Sequence, residues 1–160
     1  MAAELYIVDG DNVCHLRGPG EDYARARELL VAEIAGYMAQ TGIDGVVVLD
    51  GHGQNRSIGR TRVTYSGSET ADTIIERLAH RSAEGREVTV VSSDAVLRHV
   101  AQRRGVHAMS AREFSDRLSA APRERFQPET GPSRRLLGDA LDPAVREALE
   151  RMRRGGGRGG

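Results

Sequence analysis

At 160 residues the chain has the size of one domain and can bury a core without covalent staples. Its single cysteine, Cys14, excludes an intrachain disulfide and a thiolate metal cage, and its zero formal charge means that any nucleic-acid contact must come from local clustering. All 23 basic residues are arginine, which excludes chemistry that needs a lysine.

The opening residues are not apolar enough for a signal peptide or a membrane span, so a cytoplasmic protein is expected. Leu5-Tyr6-Ile7-Val8 reads as a short buried strand that ends abruptly in Asp9-Gly10-Asp11-Asn12. Two carboxylates and a carboxamide arrive at that strand end together, and all are hard oxygen donors suited to Mg²⁺ or Mn²⁺. A solvated turn with a helix cap is the competing reading of a lone Asp-Gly. His15 to Gly20 reads as a loop, followed by a long helix over 21–40 with Leu29, Leu30, Ile34, Tyr37 and Met38 at helical spacing. A second strand over 45–49 ends in Asp50.

The stretch 51–62 is glycine-rich and basic, and is long for a connection inside an α/β unit. Arg56, Arg60 and Arg62 beside the Asp50 end form either a phosphate-contact surface or a solvated excursion. A third strand, Val63-Thr64-Tyr65, leads into Ser66 to Asp72. Ser66 and Glu69 fit a capping box for a helix reaching about Arg81, which accounts for Glu69 but not for Asp72. The fourth strand, Val88 to Val91, ends in Ser92-Ser93-Asp94, where Asp94 is a candidate cap for a helix reaching about Arg104. Val106 to Met109 is a fifth strand, and Ser110 and Glu113 form a second capping box for a helix to about Ala120. Three prolines and few apolar residues mark 121–141 as a linker or arm. Asp142-Pro143 opens a last helix over 142–154, and 155–160 is an Arg/Gly tail expected to be disordered.

This alternation implies an α/β fold with a mainly parallel sheet and helices on both faces. Right-handed crossovers bring the C-terminal ends of all parallel strands to one edge, so Asp9, Asp50, Asp94 and the helix start bearing Glu69 and Asp72 converge there. Carboxylates held close raise one another's pKa and bind either protons or a cation, and a divalent ion is the natural partner at neutral pH. Such an ion orients and activates a water for attack on a phosphate. Cys14 lies beside the first acids without an activating partner in the sequence and is read as packing.

Five motifs stand in order: Val8-Asp9-Gly10-Asp11-Asn12-Val13, Leu49-Asp50-Gly51-His52, Ser68-Glu69-Thr70-Ala71-Asp72, Ser92-Ser93-Asp94 and Met109-Ser110-Ala111-Arg112-Glu113-Phe114. Each is weak alone, but in this order and spacing the chain resembles the YacP-like branch of the NYN domain family, PIN-like proteins known or predicted as metal-dependent ribonucleases. The resemblance covers about residues 4 to 120. It implies a PIN-like three-layer α/β/α domain over 1–120, with a five-stranded sheet of order 3-2-1-4-5, that cleaves single-stranded RNA endonucleolytically. Messenger RNA at the ribosome is a candidate substrate setting. By the resemblance the metal-binding, catalytic acids fall on Asp9, Asp72 and Asp94, with Asn12 and Glu69 in support; Asp11, Asp50 and Ser93 stand beside them as further supporting candidates.

Two positions depart from the family pattern. Asp11 stands where relatives often carry Tyr or Asn, and Thr73 stands where many related nucleases have a second Asp directly after the first. Asp11 either restores the lost charge or leaves a weaker metal site. Two other functions compete. Asp9-x-Asp11 after a strand also resembles haloacid-dehalogenase-type phosphatases, whose first Asp is a nucleophile, but those enzymes normally use a later lysine and this chain has none. The other is a non-catalytic RNA-binding module that kept the fold and lost the metal, for which Thr73 is the support.

Overall fold

The computed structural model describes residues 3–103 and 105–121. The arm, last helix and tail expected from 122 onward lie outside the described residues. In chain order the elements are β1 (Glu4–Asp9), α1 (Gly10–Arg17), α2 (Tyr23–Thr41), β2 (Asp44–Leu49), β3 (Arg56–Ile58), β4 (Thr61–Tyr65), α3 (Ala71–Ser82), β5 (Glu87–Val91), α4 (Ala95–Arg103), β6 (His107–Met109) and α5 (Ala111–Ala120). They form one sheet of order β3-β4-β2-β1-β5-β6. The five strands expected from sequence occupy the expected order, and β3 adds a sixth at the edge, antiparallel to β4.

Position in the sheet explains the apolar runs. β1 is central, with parallel neighbours on both sides: Ile7 pairs with Val46 of β2 and Val90 of β5. A strand buried on both faces has no polar side, so it reads as continuous hydrophobic sequence. Alternate residues still serve different cores. Tyr6 and Val8 join Val47, Val63, Ile34, Met38 and Phe114 under α1, α2 and α5, while Leu5 and Ile7 join Val46, Val48, Val90, Ile75 and Leu97 under α3 and α4. Cys14 is buried in the first of these cores, as packing. Burial also pushes its thiol pKa up, away from the reactive thiolate.

Three local expectations need correction. The first strand is followed at once by α1, with Asp9 as its cap, rather than by a turn and loop. Gly10 permits this tight junction, because a Cβ there would meet the Leu49 side chain at 2.6 Å and the Val48 carbonyl at 3.3 Å. The basic stretch 51–62 is a hairpin instead of a long loop: Gly59, at φ 56°, and Arg60 form the two-residue turn joining β3 to β4. Its approach is also tied down, since Asn55 Oδ1 accepts the Tyr65 N–H at 2.9 Å and Gly53 lies against the Tyr65 ring. Finally, Ser66 and Glu69 do not form a capping box. Gly67 at φ 65° turns the chain there, and α3 starts later with Thr70 accepting the Thr73 N–H. The second box is half realised: Ser110 Oγ accepts the Glu113 N–H at 3.0 Å, while the Glu113 carboxylate goes to Arg117. Among the described residues no helix is long and apolar enough to cross a membrane.

Candidate active site

Asp9 is the last residue of the central strand and the cap of α1, so its carboxyl sits at the C-terminal edge of the sheet and is only 4% exposed. The Asn12 N–H donates to its Oδ1 at 3.3 Å and the Asn12 side-chain amide to its Oδ2 at 2.7 Å. The same amide donates to Ser92 Oγ at 3.0 Å, which fixes its orientation across the β1–β5 junction. Ser92 is fully buried and also accepts the Asp94 N–H at 3.0 Å. Asn12 and Ser92 together lock the geometry between the ends of the two strands. Ser93, the expected supporting residue, is exposed and is in none of these contacts. A serine that continues a buried strand by one residue was the signal for Ser92 over Ser93.

Burial raises the Asp9 pKa to about 7, opposed by the Asn12 backbone hydrogen bond and reinforced by the charges on Asp72, Asp11 and Asp50. Asp72, in the first turn of α3, is also raised, by partial desolvation of its carboxyl and then by Asp94, Asp50 and Glu76. Asp72 and Asp94 are near enough to share a hydrogen bond when one is protonated. Asp94 also performs the bland role foreseen for it: its Oδ1 accepts the Val96 N–H at 2.9 Å and the Leu97 N–H at 3.4 Å, opening α4. Among the described residues, no arginine forms an ion pair with Asp9, Asp72 or Asp94. Three acids at one edge thus lack a neutralising side chain.

Asp11 is different. It is 6% exposed, and its Oδ1 takes the Tyr23 hydroxyl and the Arg27 guanidinium, with Nε at 2.9 Å and Nη2 at 2.7 Å. Its Oδ2 takes the Asp50 N–H at 2.7 Å. Little acceptor capacity remains for a metal. Arg27 also donates to the Asp50 carbonyl at 3.0 Å, so Asp11 clamps α1, α2 and the end of β2 together. Tyr23 and Arg27 are one helical turn apart on α2, and this spacing was the only sequence signal of their shared role. The Asp50 side chain accepts the Ala71 N–H at 2.8 Å and so positions the start of α3, which carries Asp72. Thr73 ties back to the cap, with its hydroxyl 2.9 Å from that of Thr70.

The remaining candidates pair with other groups or lie toward the opposite edge. Glu69 is exposed and pairs with Arg77 at 2.6 Å, which lowers its pKa. Arg56 pairs with Glu28 of α2 at 2.7 Å. Arg60 is at the N-terminal end of β4, paired with Asp44 at 3.1 Å, at the opposite edge from Asp9. Arg62 faces Val46 in register, near that same opposite edge. Arg60 and Arg62 therefore do not gather beside Asp50.

The donor chemistry of Asp9, Asp72 and Asp94 suits a hard divalent cation. They are oxygen donors, two have raised pKa values through burial and mutual charge, and a cation would relieve both effects. Among the described residues, however, no three His, Cys, Asp or Glu side chains gather closely enough to hold one ion. Mg²⁺ retains several waters and takes one or two carboxylates directly, so the donor set fits a water-rich site rather than a compact all-protein cage.

A mostly parallel α/β sheet whose central strands deliver carboxylates to their C-terminal edge is the architecture of a PIN-like domain. The sequence profile of the YacP-like NYN domain matches residues 6–154, and the chain belongs to that family. It is similar to the crystal structure of Rae1 (YacP) from Bacillus subtilis, at 27% identity over 94% of this chain and 95% of that one, with a TM-score of 0.65. A tryptophan-to-leucine mutant of the same Bacillus subtilis protein gives 26% identity over 95% and 96%, with a TM-score of 0.61. No curated protein matches the chain.

Proposed function

We propose that this protein is a Mg²⁺- or Mn²⁺-dependent endoribonuclease of the cytoplasm that hydrolyses single-stranded RNA, with mRNA as the expected substrate. The observation that carries this reading is Asp9: a buried carboxyl with its pKa near 7, at the edge of the sheet, facing Asp72 and held by Asn12. A buried acid of this kind is costly to a fold, and groups so perturbed concentrate at functional sites. Membership of a nuclease family supplies the reaction class.

Of Asp9, Asp72 and Asp94, which do not close into a cage, one or two would take the cation directly and the rest through its waters. A bound divalent ion supplies positive charge for the scissile phosphate and lowers the pKa of the attacking water. The chain's own residues do the rest. Asn12 and Ser92 orient the Asp9 carboxylate, Asp50 places the start of α3, and the Asp11–Arg27–Tyr23 clamp keeps these elements in register. With the acids ionised and no cation present, the pocket repels an RNA phosphate. A phosphatase using Asp9 as nucleophile and Asp11 as proton donor is disfavoured, because Asp11 is tied to Arg27 and Tyr23 and no lysine exists.

The test uses a labelled single-stranded RNA and purified protein, with Mn²⁺ or with EDTA. Cleavage by wild type that needs metal and disappears in Asp9→Asn is the expected result. No cleavage of varied RNAs, together with RNA affinity indifferent to the cation, would identify a non-catalytic RNA-binding module.

A further inference from the structure

A groove of about 380 Å³ opens at the sheet edge opposite the acids. Its walls include the first residues of β2 and β4 together with Leu78 and Ser82 of α3. Val46, Arg62 and Ser57 are partners in register across β2, β4 and β3, so they share one face of the sheet. That is the face on which α3 packs over β1, β5 and β2. The groove therefore runs along the outer flank of α3.

Its chemistry is basic. Arg60, Arg62 and Arg86 line it with a single carboxylate, Asp44, leaving it net positive by two charges. Asp44 accepts from Arg60 at 3.1 Å and from Arg86, so two of the three guanidiniums are already held in place. Among the described residues Arg62 has no ion-pair partner and is exposed. Pre-ordered guanidiniums match phosphate oxygens well and lose little freedom on binding them.

We propose that this groove is a second phosphate-binding station that takes backbone phosphates of the substrate RNA strand, at the edge of the sheet remote from the cleavage site. The inference rests on the RNA-cleaving function proposed above. Among the described residues no arginine pairs with Asp9, Asp72 or Asp94, and Arg27 at that edge is tied to Asp11, whereas this groove offers three arginines. β4 runs about 13 Å between the two edges at ~3.3 Å per residue, and β1 with Asp9 lies two strands away at ~4.8 Å each, so the separation is roughly 16 Å and one strand of RNA can reach both. RNA long enough to span the sheet gains the contact, and RNA too short does not.

Binding is measured in Mn²⁺, which lets the acid edge take a phosphate, with cleavage-resistant phosphorothioate-backbone single-stranded RNAs of graded length over a range of salt. The proteins are wild type, Arg60→Ala/Arg62→Ala, Arg60→Lys/Arg62→Lys and Arg62→Gln. For single strands log K falls with log salt at about 0.7 per phosphate contact, so the alanine pair flattens the slope for long RNA by about 1.4 and Arg62→Gln by about 0.7. The lysine pair keeps the slope, and the wild-type preference for long over short RNA collapses in the alanine pair. Arg62→Gln touches no described ion pair and keeps the test decisive if the alanine pair fails to fold. An unchanged slope overturns the proposal, as does an equal loss for short and long RNA. Displacement of a groove-bound RNA by an acidic peptide but not by competing RNA would also overturn it. Metal-dependent cleavage with an unchanged slope sinks the groove alone, whereas the expected slope change in a protein that never cleaves sinks the cleavage reading alone.

Discussion

Replacing Asp9 with asparagine should stabilise the metal-free fold at alkaline pH and abolish cleavage when the cation is supplied. The native carboxyl titrates at about 7 against an ordinary value of 3.8. Between those values the folded state holds a proton that the unfolded state has released, so unfolding releases a proton and stability falls as pH rises. The loss starts above pH ~4 and is complete above pH ~7, at about 1.4 kcal/mol per pH unit, or about 4 kcal/mol in all. Asparagine keeps the volume and cannot ionise, but its amide carries two N–H donors where the protonated carboxyl has one O–H, a loss of about 1 kcal/mol. The variant should therefore be slightly less stable than wild type near pH 4 and about 3 kcal/mol more stable at pH 8, a rise in Tm on the order of 9 °C. Thermal unfolding in EDTA from pH 4 to 8, wild type against Asp9→Asn, measures this directly. Parallel stability–pH curves would refute the reasoning, because they would mean that Asp9 ionises as freely in the fold as outside it.

Adding Mg²⁺ or Mn²⁺ at about a hundredfold its Kd should stabilise wild type by about 2.7 kcal/mol, with much less effect on Asp9→Asn or Asp72→Asn; equal shifts in all three would place the cation elsewhere. Asp11→Ala should cost about 3 kcal/mol, because it strands the partly buried Arg27 and removes the acceptor for Tyr23, and Tyr23→Phe about 1 kcal/mol, both read by urea unfolding. Gly10→Ala should cost about 1–3 kcal/mol, since the new methyl meets Leu49 at 2.6 Å and the immobile Val48 carbonyl at 3.3 Å; it should lower cleavage too, by moving Asn12. Ser92→Ala should leave the Asn12 amide short of an acceptor, lowering kcat more than RNA affinity; an unchanged kcat would mean that Asn12 needs no such support.

Much of the fold was legible in local sequence. Leu5 to Val8, Val46 to Leu49 and Val88 to Val91 are apolar throughout because parallel strands buried on both faces tolerate no polar side, and their neighbour order follows from the family pattern. The acids ending those runs were equally legible, since the chain must leave the sheet where the apolar run stops. Asp9, Asp72 and Asp94 all lie at the expected edge, and Asp94 caps its helix through bonds that span only three residues. What only the tertiary structure decided was the partner of each charged or polar group. Asp11 and Asp9 are two residues apart in one motif, yet Asp11 meets Arg27 and Tyr23 from α2 while Asp9 meets no cationic side chain among the described residues. Glu69 turns to Arg77, and Arg60 to Asp44 at the far edge of the sheet. Ser92 rather than Ser93 holds Asn12, because only a buried hydroxyl faces the neighbouring strand end. A sequence carries the sign and spacing of its charges along the chain. Whether an acid is neutralised depends on distances through space between residues tens of positions apart, and those distances exist only once the helices have packed onto the sheet.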